Sequence, residues 1–160
     1  MEASIETRVT GAEPEQYLAF SLGGEAFAMG IAAILEVVPL GHLTPVPLMP
    51  PDILGVINLR GSVVPVLDLA VRLGRPPTQR MPRTCIVILE LCQDGARSEW
   101  GVLVDSVREV LSIGVEAIEP APAFGPTLRT DLLAGVFRDG DRFVLLLATD
   151  RIFDAAAGAA

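Results

Sequence analysis

Apolar side chains fall at every second position over Leu18, Phe20 and Leu22, and a second apolar run covers Ala26 to Met29, with Gly23-Gly24 between them. Period-two patterning broken by a two-residue glycine connection predicts a β-hairpin beginning at Tyr17. The next stretch, Ile31 to Leu40, is apolar except for Glu36; it is expected to open as a brief helical or irregular turn and to continue as a strand. Prolines 45, 47, 50 and 51 then impose an extended, non-helical connection. Beyond them lies GVINLRGSVVPVLDL (Gly55 to Leu69), around which the rest of the chain is organised. Two apolar runs, Val56 to Leu59 and Val63 to Leu67, flank Arg60-Gly61, the sign of a tight hairpin with Arg60 at its tip. A hairpin apolar on both sides is buried almost to its end, so its one charged side chain is held outside the core on a rigid support. Such a residue is either a presented contact or a turn charge that is polar for local reasons. Asp68 is placed to cap a short helix, Leu69 to Leu73, which Gly74 would end.

Arg75 to Arg83, RPPTQRMPR, is proline-rich and polar and reads as a boundary between lobes. After it the order of features returns: a strand over Thr84 to Leu91, a turn over Gln93 to Ser98, a strand over Glu99 to Val104, and a further run, Val107 to Ile113. Glu109-Val110 in that run echoes Glu36-Val37, Pro120 and Pro122 echo Pro45 and Pro47, and TDLLAGVFRDGDRFVLLLATD echoes PDILGVINLRGSVVPVLD. A repeat with a period of about 75 to 80 residues that occurs twice points to two similar lobes, not to a solenoid. Each lobe has about five short strands with Gly or Pro turns, the pattern of a small all-β barrel. The expected organisation is a polar lead over residues 1–16, a single domain over about 17–154 with lobes at about 17–74 and 84–148, and a terminal helix at about 149–157. That helix would pack through Ile152, Phe153 and Ala156.

Composition narrows the function. The chain has 160 residues, 51% of them apolar, enough to bury a core without covalent staples. Its formal net charge is -8, its twelve basic residues are all Arg and scattered singly, and nucleic-acid phosphates need concentrated basic charge. Nucleic acid is therefore not an expected partner. No apolar run approaches the roughly 20 residues needed to cross a bilayer, so direct membrane insertion is not expected either. Cys85 and Cys92 occupy one predicted strand, about 23 Å apart in extended geometry, beyond disulfide reach; both are expected as small buried hydrophobes. With one histidine, His42, and no CxxC, neither a metal cluster nor a His-based dyad assembles. GxxxxGK[ST], GxGxxG, HExxH and GxSxG are absent, which removes the usual signs of phosphate, metal and acyl chemistry. No cofactor is expected, and an enzyme is not. Trp100 shares a strand face with Val102 and Val104, where it is either core or exposed docking surface.

On these features the chain resembles the CheW family of bacterial chemotaxis coupling proteins. The resemblance rests on FSLGGEAFAMGI near the start, GVINLRGSVVPVLDL in the middle, then GVLVDSVREVLSI, IEPAP and TDLLAGVFRDGDRFVLLL, and runs from about Tyr17 to Phe153. NLRG followed by VVPVxDL is specific to this family and to the regulatory domain of its kinase partner. The resemblance implies two intertwined five-stranded β-barrels and a non-catalytic adaptor. Its implied partners are the cytoplasmic tips of methyl-accepting chemoreceptors and the regulatory domain of the histidine kinase CheA, within cytoplasmic, membrane-associated arrays. Carried over residue by residue, the NLRG arginine is Arg60 and the glutamate of the preceding strand is Glu36, both implied in partner contact. Gly55, Val56, Val63 and Val37 match the hydrophobic surroundings of the receptor groove. The chain departs from the family in ending its last strand with Ala148-Thr149-Asp150, where many members have Asp or Asn directly after the apolar run. A scaffold of a different chemosensory output and a small-ligand-binding β-barrel are the alternative readings.

Overall fold

Turn residues decide where the chain reverses. Gly23 and Gly24 (φ 57° and 85°), Arg60 and Gly61 (50° and 89°) and Asp94 and Gly95 (53° and 78°) all hold positive φ. That geometry suits a two-residue turn between right-twisted antiparallel strands. It closes three hairpins in the computed structural model, which describes residues 14–121 and 129–158. They are β1 (Glu15–Leu22) with β2 (Glu25–Gly30), β4 (Ile53–Leu59) with β5 (Ser62–Asp68), and β6 (Cys85–Gln93) with β7 (Ala96–Val104). A 3-10 turn at Ile31–Ala33 leads into β3 (Ile34–Pro39), the irregular start and strand read from the sequence. The remaining strands are β8 (Ser106–Ile113), β9 (Ile118–Glu119), β10 (Leu133–Asp139) and β11 (Arg142–Leu147). Two helices are added, α1 (Leu69–Arg72) and α2 (Thr149–Gly158). The turn expected over Gln93 to Ser98 is shorter, because Asp94 and Gly95 supply positive φ and let pairing begin at Gln93↔Ala96.

The strands form a six-stranded sheet ordered β8-β1-β2-β11-β10-β9 and a five-stranded sheet ordered β3-β6-β7-β5-β4. The halves of the sequence repeat are not the two sheets. Each sheet takes one hairpin from the other half, through the parallel pairs β2 with β11 and β5 with β7. The chain passes between sheets at Ile31–Ala33 and at Asp105, whereas the Arg75 to Arg83 segment, expected as the lobe boundary, joins two strands of the same sheet. It is held there by Asp68, whose carboxylate accepts from the Thr78 amide at 3.1 Å and hydroxyl at 2.9 Å while capping α1 through the Ala70 amide at 3.2 Å. The exchange follows from composition: strand hairpins with apolar side chains on both faces must be covered on both faces.

Three clusters meet that need. One lies on one face of the five-stranded sheet (Ile57, Val64, Val66, Ile86, Ile88, Leu103), one on a face of the six-stranded sheet (Ala19, Ala28, Ile113, Val144, Leu146). The largest lies between the sheets, where Phe20, Phe27, Leu67, Val87, Val102 and Leu145 meet Ile152 and Phe153 of α2. Buried Arg72 ties α1 to α2, donating from Nε to the Ile152 carbonyl at 3.2 Å beside Asp52 at 3.8 Å. Burial and the neighbouring Arg129 push its pKa down. Cys85 is buried as expected, but Cys92 is exposed, because it sits beside the Asp94-Gly95 turn at the tip of the β6–β7 hairpin, on the strand face of Ile86 and Ile88 and beyond the cluster they belong to.

The repeat survives as register. Ile53↔Leu67 and Gly55↔Val66 in one hairpin correspond to Leu133↔Leu147 and Gly135↔Leu146 in the other, each with a bulge between. At both bulges a glycine lets another segment cross. A Cβ on Gly55 (φ 154°) would overlap the Thr44 carbonyl, and one on Gly135 would meet Ile118 Cγ2 at 2.5 Å. Thr44 bridges Val56 and Glu119 pairs with Val136, so the crossings are equivalent too.

Candidate partner-docking site

Strands β3 and β4 are the two edges of the five-stranded sheet and share no ladder. They are nevertheless joined by side chains. Arg60 at the β4–β5 tip reaches Glu36 on β3, donating from Nη1 to Oε1 at 3.3 Å and from Nη2 to Oε2 in a second, closer contact. This two-armed pairing spans the seam of a curled sheet, and Glu36 lies on the same strand face as Val38, which packs into that sheet's interior. A non-glycine residue with positive φ is uncommon, and local contacts hold this one: the Asn58 Oδ1 accepts from the Gly61 amide at 3.0 Å. The Arg60 side chain remains 71% exposed against 29% for Glu36. The arginine is the more exposed of the two, and the glutamate fixes its direction.

The hydrogen bond from Arg60 holds the Glu36 carboxyl below its usual 4.5, against a smaller desolvation effect. The same bond, the charge of Glu36 and a contribution from Glu99 raise the Arg60 pKa. Both groups therefore stay charged throughout the physiological range.

The apolar candidates separate. Val63 on β5 and Val37 on β3 are 68% and 41% exposed; Val37 follows Glu36 directly along its strand, on the opposite face, and Val63 lies three residues beyond Arg60. Val56 is half-buried and its backbone is engaged by Thr44 in both directions, at 2.8 and 2.9 Å. Gly55 is buried beneath that crossing, so its position has a packing reason and offers no side-chain surface. Sequence reasoning missed Leu35, 48% exposed on the same strand as Val37; the uninterrupted apolar run of β3 hid which of its residues look outward. Val37 pairs with Val87 and Val110 with Leu18, both members of the inter-sheet core, so these exposed valines continue that core out to solvent on each sheet. Trp100 fulfils both readings: it packs on Phe153 with ring centroids 5.5 Å apart and also lines an open cleft of about 510 Å³ with Val63 and Pro65.

Among the described residues, no group of three or more His, Cys, Asp or Glu side chains is placed to hold a metal ion, and no helix is long and apolar enough to cross a membrane.

Residues 16–157 match the family model described as the CheW-like domain. The chain belongs to the CheW-like family. It is 32% identical to the chemotaxis protein CheW of Klebsiella aerogenes over 88% of this chain and 82% of that one. It is likewise 32% identical to the probable chemotaxis protein CheW of Rhizobium etli, over 86% of each. Protein FrzA of Myxococcus xanthus is 34% identical over 82% of this chain and 80% of its own. Among solved structures, the scaffolding protein TtCheW of Thermoanaerobacter tengcongensis superposes with a TM-score of 0.76 at 32% identity, covering 88% of both chains. The protein is thus a CheW-family scaffold of chemotaxis, and its two strand-exchanged sheets are the family's fold.

Proposed function

We propose that this CheW-like protein is a non-catalytic adaptor that couples methyl-accepting chemoreceptors to the regulatory domain of the histidine kinase CheA. It would work in the cytoplasm and reach membrane-associated arrays only through those partners. The observation that carries the reading is the Arg60–Glu36 bridge with exposed Val37 and Val63 beside it. A receptor helical hairpin lays an apolar stripe along Leu35, Val37 and Val110, where the inter-sheet core reaches solvent; burial supplies affinity. Arg60 and Glu36 act as polar anchors, which fix register and partner choice more than they add affinity. An ion pair that closes a seam without backbone hydrogen bonds is a contact a partner can exchange for its own. Signal passes only if the receptor's two states engage these groups differently.

The test is reconstitution of a ternary complex from this protein, a receptor cytoplasmic fragment and the kinase regulatory domain, followed by kinase activation. Arg60→Ala and Glu36→Ala are expected to keep the native circular dichroism spectrum while lowering activation. Normal activation by both variants, or no complex with wild-type protein, would remove the basis for the assignment.

A further inference from the structure

The register that relates hairpin β4–β5 to β10–β11 also relates two surface corners. Ser62, Val63 and Pro65 correspond to Arg142, Phe143 and Leu145, and each trio lines an open cleft, of about 510 Å³ and about 290 Å³ respectively. Their charges are opposite. The first corner adds Glu90, Glu99 and Arg97, whereas the second adds Arg108 to Arg142, and Arg138 stacks on the Phe143 ring at 5.3 Å. The carboxylate lining the second corner, Glu25, is already bound by Arg75. Other acids engage this corner loosely: Asp139 is 3.9 Å from Arg142 and Glu119 is 3.7 Å from Arg138, both beyond hydrogen-bond length. Arg108 makes no ion pair among the described residues. Phe143 is 52% exposed. In a chain of net charge -8, three guanidiniums around an uncovered aromatic ring reverse the local field.

We propose that this corner of the six-stranded sheet docks an acidic segment of a partner protein carrying a bulky apolar side chain. The apolar group lies on Phe143 and Leu145, and the flanking carboxylates are taken by Arg108 and Arg142. Guanidinium and carboxylate geometries match in two-pronged pairing, and arginine and aromatic residues are the anchors that carry interface energy. Such a segment is repelled by Glu90 and Glu99 at the corresponding corner, so the two halves of the repeat discriminate between partners by charge.

The probe is a fluorescein-labelled dodecapeptide of Asp and Glu around a central Leu-Phe pair, titrated by anisotropy against the full chain at about 0.15 M salt, where exposed charges act over about 8 Å. Its Asn and Gln counterpart serves as comparison. The acidic peptide is expected to bind at least about tenfold more tightly than the neutral one, a difference of about 1.4 kcal/mol. A loss of about tenfold is expected in Arg108→Glu, in Arg142→Glu and in Phe143→Ser, with Arg97→Glu at the other corner unchanged. All substituted side chains lie outside the core, and a native melting profile identifies the folded variants. Phe143→Leu, which keeps an apolar surface, should retain most of the binding. Absence of binding by wild type would overturn the proposal. So would binding indifferent to Phe143→Ser, or full displacement by millimolar pyrophosphate, which would mark a simple anion site.

Discussion

Gly55→Ala tests the idea that the β4 bulge exists to let the Thr44 segment cross. The added Cβ would overlap the Thr44 carbonyl oxygen and lie 2.8 Å from its carbon, both backbone atoms with no rotamer to yield. At φ 154° the alanine would also sit in a backbone region that favours glycine, at a cost of order 1–3 kcal/mol. Displacing the crossing strands breaks the Thr44–Val56 bridge, whose two hydrogen bonds, at 2.8 and 2.9 Å, are worth about 1 kcal/mol each. The sum is about 3–5 kcal/mol, or a fall in Tm of about 10 °C for a domain of this size. Gly135→Ala is the internal comparison. Its closest clash, at 2.5 Å, is with the Ile118 side chain, and the Glu119 carbonyl oxygen is 2.9 Å away, with no positive φ to add strain. About 1–3 kcal/mol is expected there, as for an overpacked core position. Urea denaturation of both variants gives the two values directly. A Gly55→Ala protein within about 0.5 kcal/mol of wild type, or one more stable than Gly135→Ala, would refute the reasoning.

Other residues make separate predictions. Asp68→Ala removes a buried carboxylate that caps α1 and holds Thr78, and should cost about 2–4 kcal/mol by urea denaturation; a loss under about 1 kcal/mol would mean the 75–83 segment is held by other contacts. Glu36 has its carboxyl held below 4.5 by Arg60, so its contribution is complete above the unfolded pKa and is lost as pH falls through the lowered folded value. The Tm difference between wild type and Glu36→Gln should therefore be present at pH 7 and shrink towards zero as the carboxylate is protonated in acid. A difference that grows on acidification would contradict the pairing.

Much of the strand content was legible because local chemistry specifies it. Glycine-centred turns set the first two hairpins, period-two patterning marked strands, Asp68 announced the cap of α1, and Arg60 was placed at a tip from its apolar flanks alone. The proposed docking surface was half legible. Arg60 and Glu36 stood out as lone charges in apolar stretches, but the exposure of Leu35 was concealed inside one, and the burial of Gly55 beneath the Thr44 crossing could not be read from its neighbours. The exposure of Cys92 was equally invisible, since it depends on how far along β6 the apolar cluster of that face extends.

By itself the sequence determined the elements and their repetition, since both depend on neighbours within a few residues along the chain. Which half supplies which strand was decided only in three dimensions. Apolar hairpins need cover on both faces, and the parallel pairings β2–β11 and β5–β7 provide it from residues far away in sequence. The same long-range closure brought Arg60 to Glu36 across 24 positions, turning two isolated charges into one bridge over a seam.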